Sequence, residues 1–346
     1  MNQPTDSNLA LAPDEGLSVL ILGGSGIISN AVARQAAAAG HRLTLLNRGR
    51  TRSTGRPPAP SGARQLLVDV RDRGAVLEAL AGESFDVVVT FLGFVPEHVQ
   101  QDIEIFAGRT QQYIFISSAS AYQTPPARLP VTESTPLRNP YWQYSRDKIA
   151  CEDLLTATYR NSGFPITIVR PSHTYDPTMV PFDGGWTVVD RMLRQLPVIV
   201  PGDGTSLWTI THHTDVARAL VGLFGQTRAL GEAFHITSDE APTWNELYRT
   251  IGRAAGVEPN LLHVPSESIA GMDADLGAAL LGDKANSMIF DNSKIRALVP
   301  GWHAEVPFAQ GAREIVAWHR ADPSRQRIDP QMNALFDRIA ARYASL

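Results

Sequence analysis

The apolar positions of this chain fall into short runs, separated by glycine turns and by stretches with helical spacing. Leu17-Ser18-Val19-Leu20-Ile21-Leu22 is nearly continuous, as expected of a central parallel strand covered on both faces. It ends at Gly23-Gly24-Ser25-Gly26-Ile27-Ile28-Ser29, and an alanine-rich helix is predicted over 31–39. Further strands are predicted at 42–46, 65–70, 86–92 and 113–116, with a returning strand at 232–237. Helical spacing marks 188–196, 215–224, 244–255 and 308–319, whereas the Pro/Gly-rich stretch 51–63 reads as a surface loop. The segment 266–286 carries no assignable motif.

Composition narrows the picture. A chain of 346 residues, 43% hydrophobic and 19% charged, buries a large core and is expected to divide into two units. A formal net charge of −4 gives no electrostatic reason for a nucleic-acid or anionic-membrane partner. The single cysteine, Cys151, excludes an internal disulfide framework and a cysteine-clustered metal site; its apolar neighbours suit a buried structural thiol. The first 15 residues lack a basic start followed by an apolar run, so they read as a disordered tail rather than a secretory signal. No stretch reaches the length of a membrane span. The expectation is a cytoplasmic protein.

The candidate chemistry begins at the glycine turn. Strand, glycines and helix in that order suit a dinucleotide, with Gly23 making the tight turn and Gly26 letting backbone approach a pyrophosphate. Ile27 and Ile28 are further cofactor-binding candidates, and the helix that follows would supply N–H groups to the pyrophosphate. After the second strand comes Asn47-Arg48-Gly49-Arg50, with no acidic residue to hold ribose hydroxyls. Arg48 suits the 2′-phosphate of NADP, the alternative being a solvated loop arginine; NADP is thus favoured over NAD. Asp69 ends the third strand, where it meets the adenine edge. Leu92-Gly93 ends the fourth, where a small residue leaves room for the cofactor.

Hydroxyl residues Ser117, Ser118 and Ser120 follow the fifth strand and precede Tyr122. Tyr144 and Lys148 stand four apart on a helix expected to start at Asn139 as cap and Pro140 as first residue. A phenol beside an ammonium in a dry cleft is easier to deprotonate, giving a base for a hydroxyl or an acid for a ketone. The alternative is a solvated surface pair. His212 and His213 lack a nearby third ligand, so no metal is expected.

The glycine turn, the Ser118 segment, Tyr144-xxx-Lys148 and Arg170-Pro171-Ser172-His173-Thr174-Tyr175 occur in one order and spacing. Together they resemble the extended short-chain dehydrogenase/reductase family, and in particular its NAD-dependent epimerase/dehydratase branch, from residue 17 to near the end. The resemblance implies an α/β fold, a doubly wound parallel sheet (Rossmann) with a smaller C-terminal lobe. The dinucleotide-binding domain would take 16–178 with 209–237 returning to it, and the substrate-binding lobe 179–208 and 238–346. It further implies Ser118 and Tyr144 as catalytic residues, with Lys148 holding nicotinamide ribose and lowering the tyrosine pKa. Pro171 and Ser172 would face the nicotinamide, and Ser120 and His173 the substrate.

Two departures bear on the substrate. Ala119-Ser120 stand where dehydratases carry Asp-Glu, so elimination of water is not expected. Aligned on Asp215-Val216-Ala217, the family's diphosphate-gripping arginine is replaced by Trp208, with His212 at the family's histidine. Trp208 would stack on a sugar or base face, or fill core; a diphosphate would need another cation such as Arg191 or Lys294. The implied activity is an NAD(P)-dependent sugar or nucleotide-sugar epimerase acting by transient oxidation of a secondary hydroxyl. An NADPH-dependent carbonyl reductase is the alternative, and a non-catalytic RNA-binding relative a third reading. The expected partner is a small carbohydrate-like molecule, and the expected assembly a monomer or homodimer.

Overall fold

The computed structural model of the protein describes residues 16–49 and 55–343. The tail expected over residues 1–15 lies outside them, as do residues 50–54 at the start of the proline/glycine-rich loop. The first half of the chain alternates strand and helix: β1 (Ser18–Leu22), α1 (Ile27–Ala38), β2 (Arg42–Asn47), β3 (Arg64–Leu67), α2 (Arg73–Leu80) and β4 (Phe85–Thr90). It continues through α3 (Pro96–Phe106), β5 (Thr110–Ile116), α4 (Gln143–Ser162), β6 (Ile166–Pro171) and β7 (His173–Tyr175). The second half holds α5 (Trp186–Leu193), β8 (Val198–Pro201), β9 (Ile210–His212), α6 (His213–Gly222), β10 (Ala233–Ile236), α7 (Trp244–Ala255) and β11 (Leu261–Val264). The helices α8 (Ser266–Ala270), α9 (Ala274–Ala279), α10 (Ser293–Leu298), α11 (Phe308–Arg320) and α12 (Pro330–Tyr343) follow.

Seven strands form one sheet in the order β10-β6-β5-β4-β1-β2-β3, and every neighbouring pair is parallel. Successive side chains of a strand point to opposite faces, which explains the continuous apolar runs. Val19 and Ile21 of β1 pack with Leu45, Val87 and Val89 under α1 and α6. Leu20 and Leu22 pack on the other face with Val88, Phe115 and the Cys151 and Leu155 side chains of α4. From β1 the chain builds outward to β2 and β3, then returns to build β4, β5 and β6 on the other side. That reversal opens a crevice beyond the carboxyl ends of β1 and β4, where doubly wound folds bind ligands.

A third core gathers Trp186, Met192, Trp208, Trp244, Tyr248, Ile315 and Phe336, beside the short parallel pairs β8–β11 and β7–β9. Helix α7 matches its predicted bounds because its ends are written locally. Thr243 and Glu246 form a capping box at its start, and Gly256, at φ 77°, closes it.

Several boundaries differ from the sequence reading: β3 ends at Leu67, so Asp69 lies beyond it, and α5 and α6 each begin two residues early. Two helix starts differ for local reasons. Helix α1 begins at Ile27, four residues early, because the Ser29 hydroxyl accepts the Gly26 N–H at 2.9 Å. Helix α4 begins at Gln143, so Asn139 is not its cap and Pro140 lies before it. Asn139 instead accepts from the Tyr141 and Trp142 amides and donates to the carbonyls of Ser120 and Gly282. It is buried and ties three separate segments together. One of these is the stretch without a motif: α8, α9 and a π-helical turn, Leu280–Lys284, followed by a bridge from Met288 to Trp208.

Candidate active site

Two adjoining cavities occupy the crevice, of about 550 and 400 Å³; Gly23, Ser25, Leu92 and Phe94 line both. Gly23 (φ 120°) and Gly24 (φ 106°) hold a conformation that side chains disfavour, turning the chain from β1 into α1. Gly26, Ile27 and Ile28 line the larger cavity at the N-terminus of α1, where amide donors and the positive end of the helix dipole attract an anion. Arg48 and Asp69 line the smaller one. The Asp69 carboxylate accepts the Arg71 amide at 3.0 Å. Arg71, which sequence reasoning missed, lines the same cavity and leaves its Nη1 without a hydrogen-bond partner among the described residues.

The catalytic candidates meet in the larger cavity. Ser118 follows β5, and its Oγ lies 2.9 Å from Ser120 Oγ, which in turn accepts from Ser145 at 2.8 Å. Tyr144 and Lys148 stand on the buried stripe of α4 that also carries Ser145, Cys151 and Leu155, so they are not a solvated pair. Cys151 is the buried thiol expected, pushed up to about 12 by burial and so unreactive.

The acidity of Tyr144 differs from the expectation. Burial pushes its phenol up to about 12, although a hydrogen bond with Ser118 pulls the other way. Lys148 does not offset this, because its Nζ donates to the carbonyls of Gly93 and Ile116 at 2.7 and 2.8 Å and stands 5.8 Å from the Tyr144 ring centre. Burial lowers the Lys148 ammonium to about 8. Gly93 thus reaches the site as a carbonyl acceptor. Its lack of a side chain also matters, since a Cβ there would come within 2.7 Å of the Phe115 ring.

Pro171, Ser120, His173 and Trp208 line the larger cavity as well. His173 is driven down to about 3 by burial and by Lys284, so its imidazole is neutral; its Nε2 has no hydrogen-bond partner among the described residues. Trp208 fills core, stacking on Trp244 at 4.4 Å, and also lines the larger cavity beside His173. His212 is placed elsewhere. Its Nδ1 pairs with Thr214 and its Nε2 with Glu314, outside both cavities. The two alternative cations are also committed: Arg191 to Asp337, Asn333 and the Pro197 carbonyl, and Lys294 to Glu232.

Three further residues of the site escaped sequence reasoning. Trp142, the residue before α4, packs 4.8 Å from the Tyr144 ring. Asp283 lines the cavity from the π-helical turn, and Lys284 lies behind it over the Trp142 and Trp208 rings. Nothing in local spacing pointed to the last two. Among the described residues no cluster of His, Cys, Asp and Glu is arranged to hold a metal, and no helix is long and apolar enough to cross a membrane.

Comparison with known proteins places this geometry. The sequence model of the NAD dependent epimerase/dehydratase family matches residues 19–236. The 2'-dehydrokanamycin reductase of Streptomyces kanamyceticus is 27% identical, over 86% of this chain and 83% of its own length. Chloroplast stem-loop binding protein of 41 kDa b from Arabidopsis thaliana is 26% identical, over 90% and 81%. Among solved structures, the epimerase Mth375 from Methanothermobacter thermautotrophicus has the same fold, with a TM-score of 0.74 at 16% identity over 90% of this chain and 95% of that one.

Proposed function

We propose, for a chain that belongs to the NAD dependent epimerase/dehydratase family, hydride transfer between a nicotinamide cofactor and a secondary carbinol carbon of a carbohydrate-like substrate, run as ketone reduction. The observation that carries this reading is the convergence of Ser118, Tyr144 and Lys148 on one cavity that is continuous with the glycine turn. The residues present fit a dinucleotide. Gly23, Gly24 and Gly26 bring no Cβ to the turn, and Arg71, whose buried Nη1 has no hydrogen-bond partner among the described residues, lines the second cavity. When bound, the nicotinamide supplies or accepts the hydride. Ser118 holds the substrate oxygen, Tyr144 gives it a proton, and the Lys148 charge supports the ribose.

The Tyr144 phenol, held protonated by burial, can serve as the acid of a ketone reduction. The likeness to a reductase, over 86% of this chain, supports the reductive direction. Epimerisation, the reading the sequence favoured, would use the same groups twice, and its nucleotide-sugar form would need a cation for the diphosphate. Trp208 takes the expected place of that cation, and Arg191 and Lys294 are engaged elsewhere. The test is absorbance during incubation with NADPH and a panel of ketoses and oxidised glycosides. Consumption of reduced cofactor in step with alcohol formation is expected. Isomerised product without net consumption, on cofactor that survives desalting, would favour the epimerase; co-purifying RNA without turnover would favour a binding protein.

The pH profile follows from the same groups. Reduction needs Tyr144 protonated, which holds below about 12, and Lys148 charged, which holds below about 8. The kcat/KM for reduction is therefore expected to be level below pH 8 and to fall above it. Oxidation of the alcohol, which needs the phenolate, should rise with pH. A reductive rate that climbs between pH 8 and 10 would rule out Tyr144 as the acid.

Arg48 is the basis for NADP. It is exposed at the mouth of the smaller cavity, next to Asn47 and Gly49. Arg48→Ala should weaken NADP about tenfold, the loss expected for one solvent-screened charge-assisted contact, with NAD unchanged. Calorimetry showing a preference for NAD that the variant leaves intact would assign the site to NAD.

A further inference from the structure

Asp283 takes no part in the proton transfer from Tyr144, yet it lines the same cavity as Ser118, Trp142, Tyr144 and Trp208. Its side chain is 19% exposed, so it is mostly desolvated but reachable from the cavity. Among the described residues its one ion-pair partner is Lys284, whose Nζ stands 3.8 Å away, beyond hydrogen-bond distance. That ammonium is shared, standing 4.0 Å from Asp183 as well. One cation against two carboxylates leaves a negative charge over. Neutral His173 adds nothing to balance it.

A mostly desolvated carboxylate without a donor is costly until a cation or donor reaches it. The Trp142 and Trp208 rings already carry the Lys284 ammonium at 5.7 and 5.8 Å, and the Tyr144 ring on the same cavity wall is a further face of the kind that accepts a cation. A diphosphate placed here would meet the Asp283 carboxylate, and the Lys284 ammonium beside it is shared between Asp283 and Asp183. Burial already holds the Asp283 carboxyl above the ordinary range, with Asp183 adding to it; an ammonium would restore its ionised form.

We propose that Asp283 anchors an ammonium group of the substrate, so that the cavity takes an aminated carbohydrate, an aminosugar or aminocyclitol ketone, in place of a diphosphate-linked sugar. The assignment rests on the hydride-transfer reading, since it names the occupant of the same cavity. With Ser118 and Tyr144 on the carbonyl oxygen, an amine on a nearby ring position would turn toward the π-helical turn.

The test is calorimetry on protein saturated with NADP, using kanamycin, fully N-acetylated kanamycin and UDP-glucose as probes. Kanamycin is expected to bind about ten- to a hundredfold tighter than its acetylated form, as a charge-assisted hydrogen bond allows. Asp283→Asn should erase that difference by weakening kanamycin alone, with NADPH affinity unchanged as evidence of folding. Equal binding of the two forms to wild type would overturn the proposal. So would a difference that survives Asp283→Asn, or UDP-glucose binding tighter than either. These measurements need no turnover, so they decide on Asp283 even if ketone reduction fails, and that failure would show separately in the absorbance assay.

Discussion

Replacing Tyr144 with Phe should lower turnover by about a hundred- to ten-thousand-fold, the usual worth of a positioned general acid, with cofactor affinity and thermal stability near wild type. The substitution removes one hydroxyl. The ring stays packed against Trp142 and below the Lys148 ammonium, and Lys148 keeps its bonds to the Gly93 and Ile116 carbonyls. Among the described residues, no fold contact therefore depends on the phenol oxygen beyond its bond with Ser118. The measurement is single-turnover reduction beside NADPH titration by fluorescence. Near-normal turnover in a folded, cofactor-binding variant would remove Tyr144 from the chemistry and leave Ser118 or a bound water as proton source.

The part of this site that could be read from sequence is the part encoded locally. Gly23 to Ser29 declares a glycine turn between a strand and a helix, and Tyr144 and Lys148 declare a shared face by their spacing alone. The strands of the sheet were legible because parallel strands buried on both faces leave continuous apolar runs. What local spacing does not hold was missed. Asp283 and Lys284 reach the cavity through a bridge from Met288 to Trp208 and through the bonds of Asn139 to Gly282, contacts between segments far apart in the chain. His212 failed in the opposite way. Its place in the alignment was right for a substrate contact, but Thr214 and Glu314 hold its ring outside the cavity. The acidity of Tyr144 was also misjudged, because a helical spacing of four fixes a shared face and not where the ammonium points.

Glu152 shows the same limit in a residue that no motif marks, and it carries the largest stability effect expected here. On α4 it falls on the buried stripe one turn beyond Lys148. Its carboxylate is held by Arg170 at 2.5 and 3.0 Å and by the Ser117 hydroxyl at 2.5 Å. The Arg170 guanidinium also lies 4.8 Å from the Tyr122 ring centre, and its pKa is raised, the Glu152 bond and charge outweighing burial. The pair therefore ties α4, which carries Tyr144, to β6 and to the end of β5, which carries Ser118. Glu152→Ala leaves Arg170 buried with no counter-charge, and breaking a buried pair in this way costs about 3–5 kcal/mol. The variant should lose most of its stability in urea titration. Arg170→Met with Glu152→Leu, which removes both charges and keeps the volume, should recover much of it. A Glu152→Ala protein within about 1 kcal/mol of wild type would mean that water reaches Arg170, and that the α4 face behind the site is wetter than this packing allows.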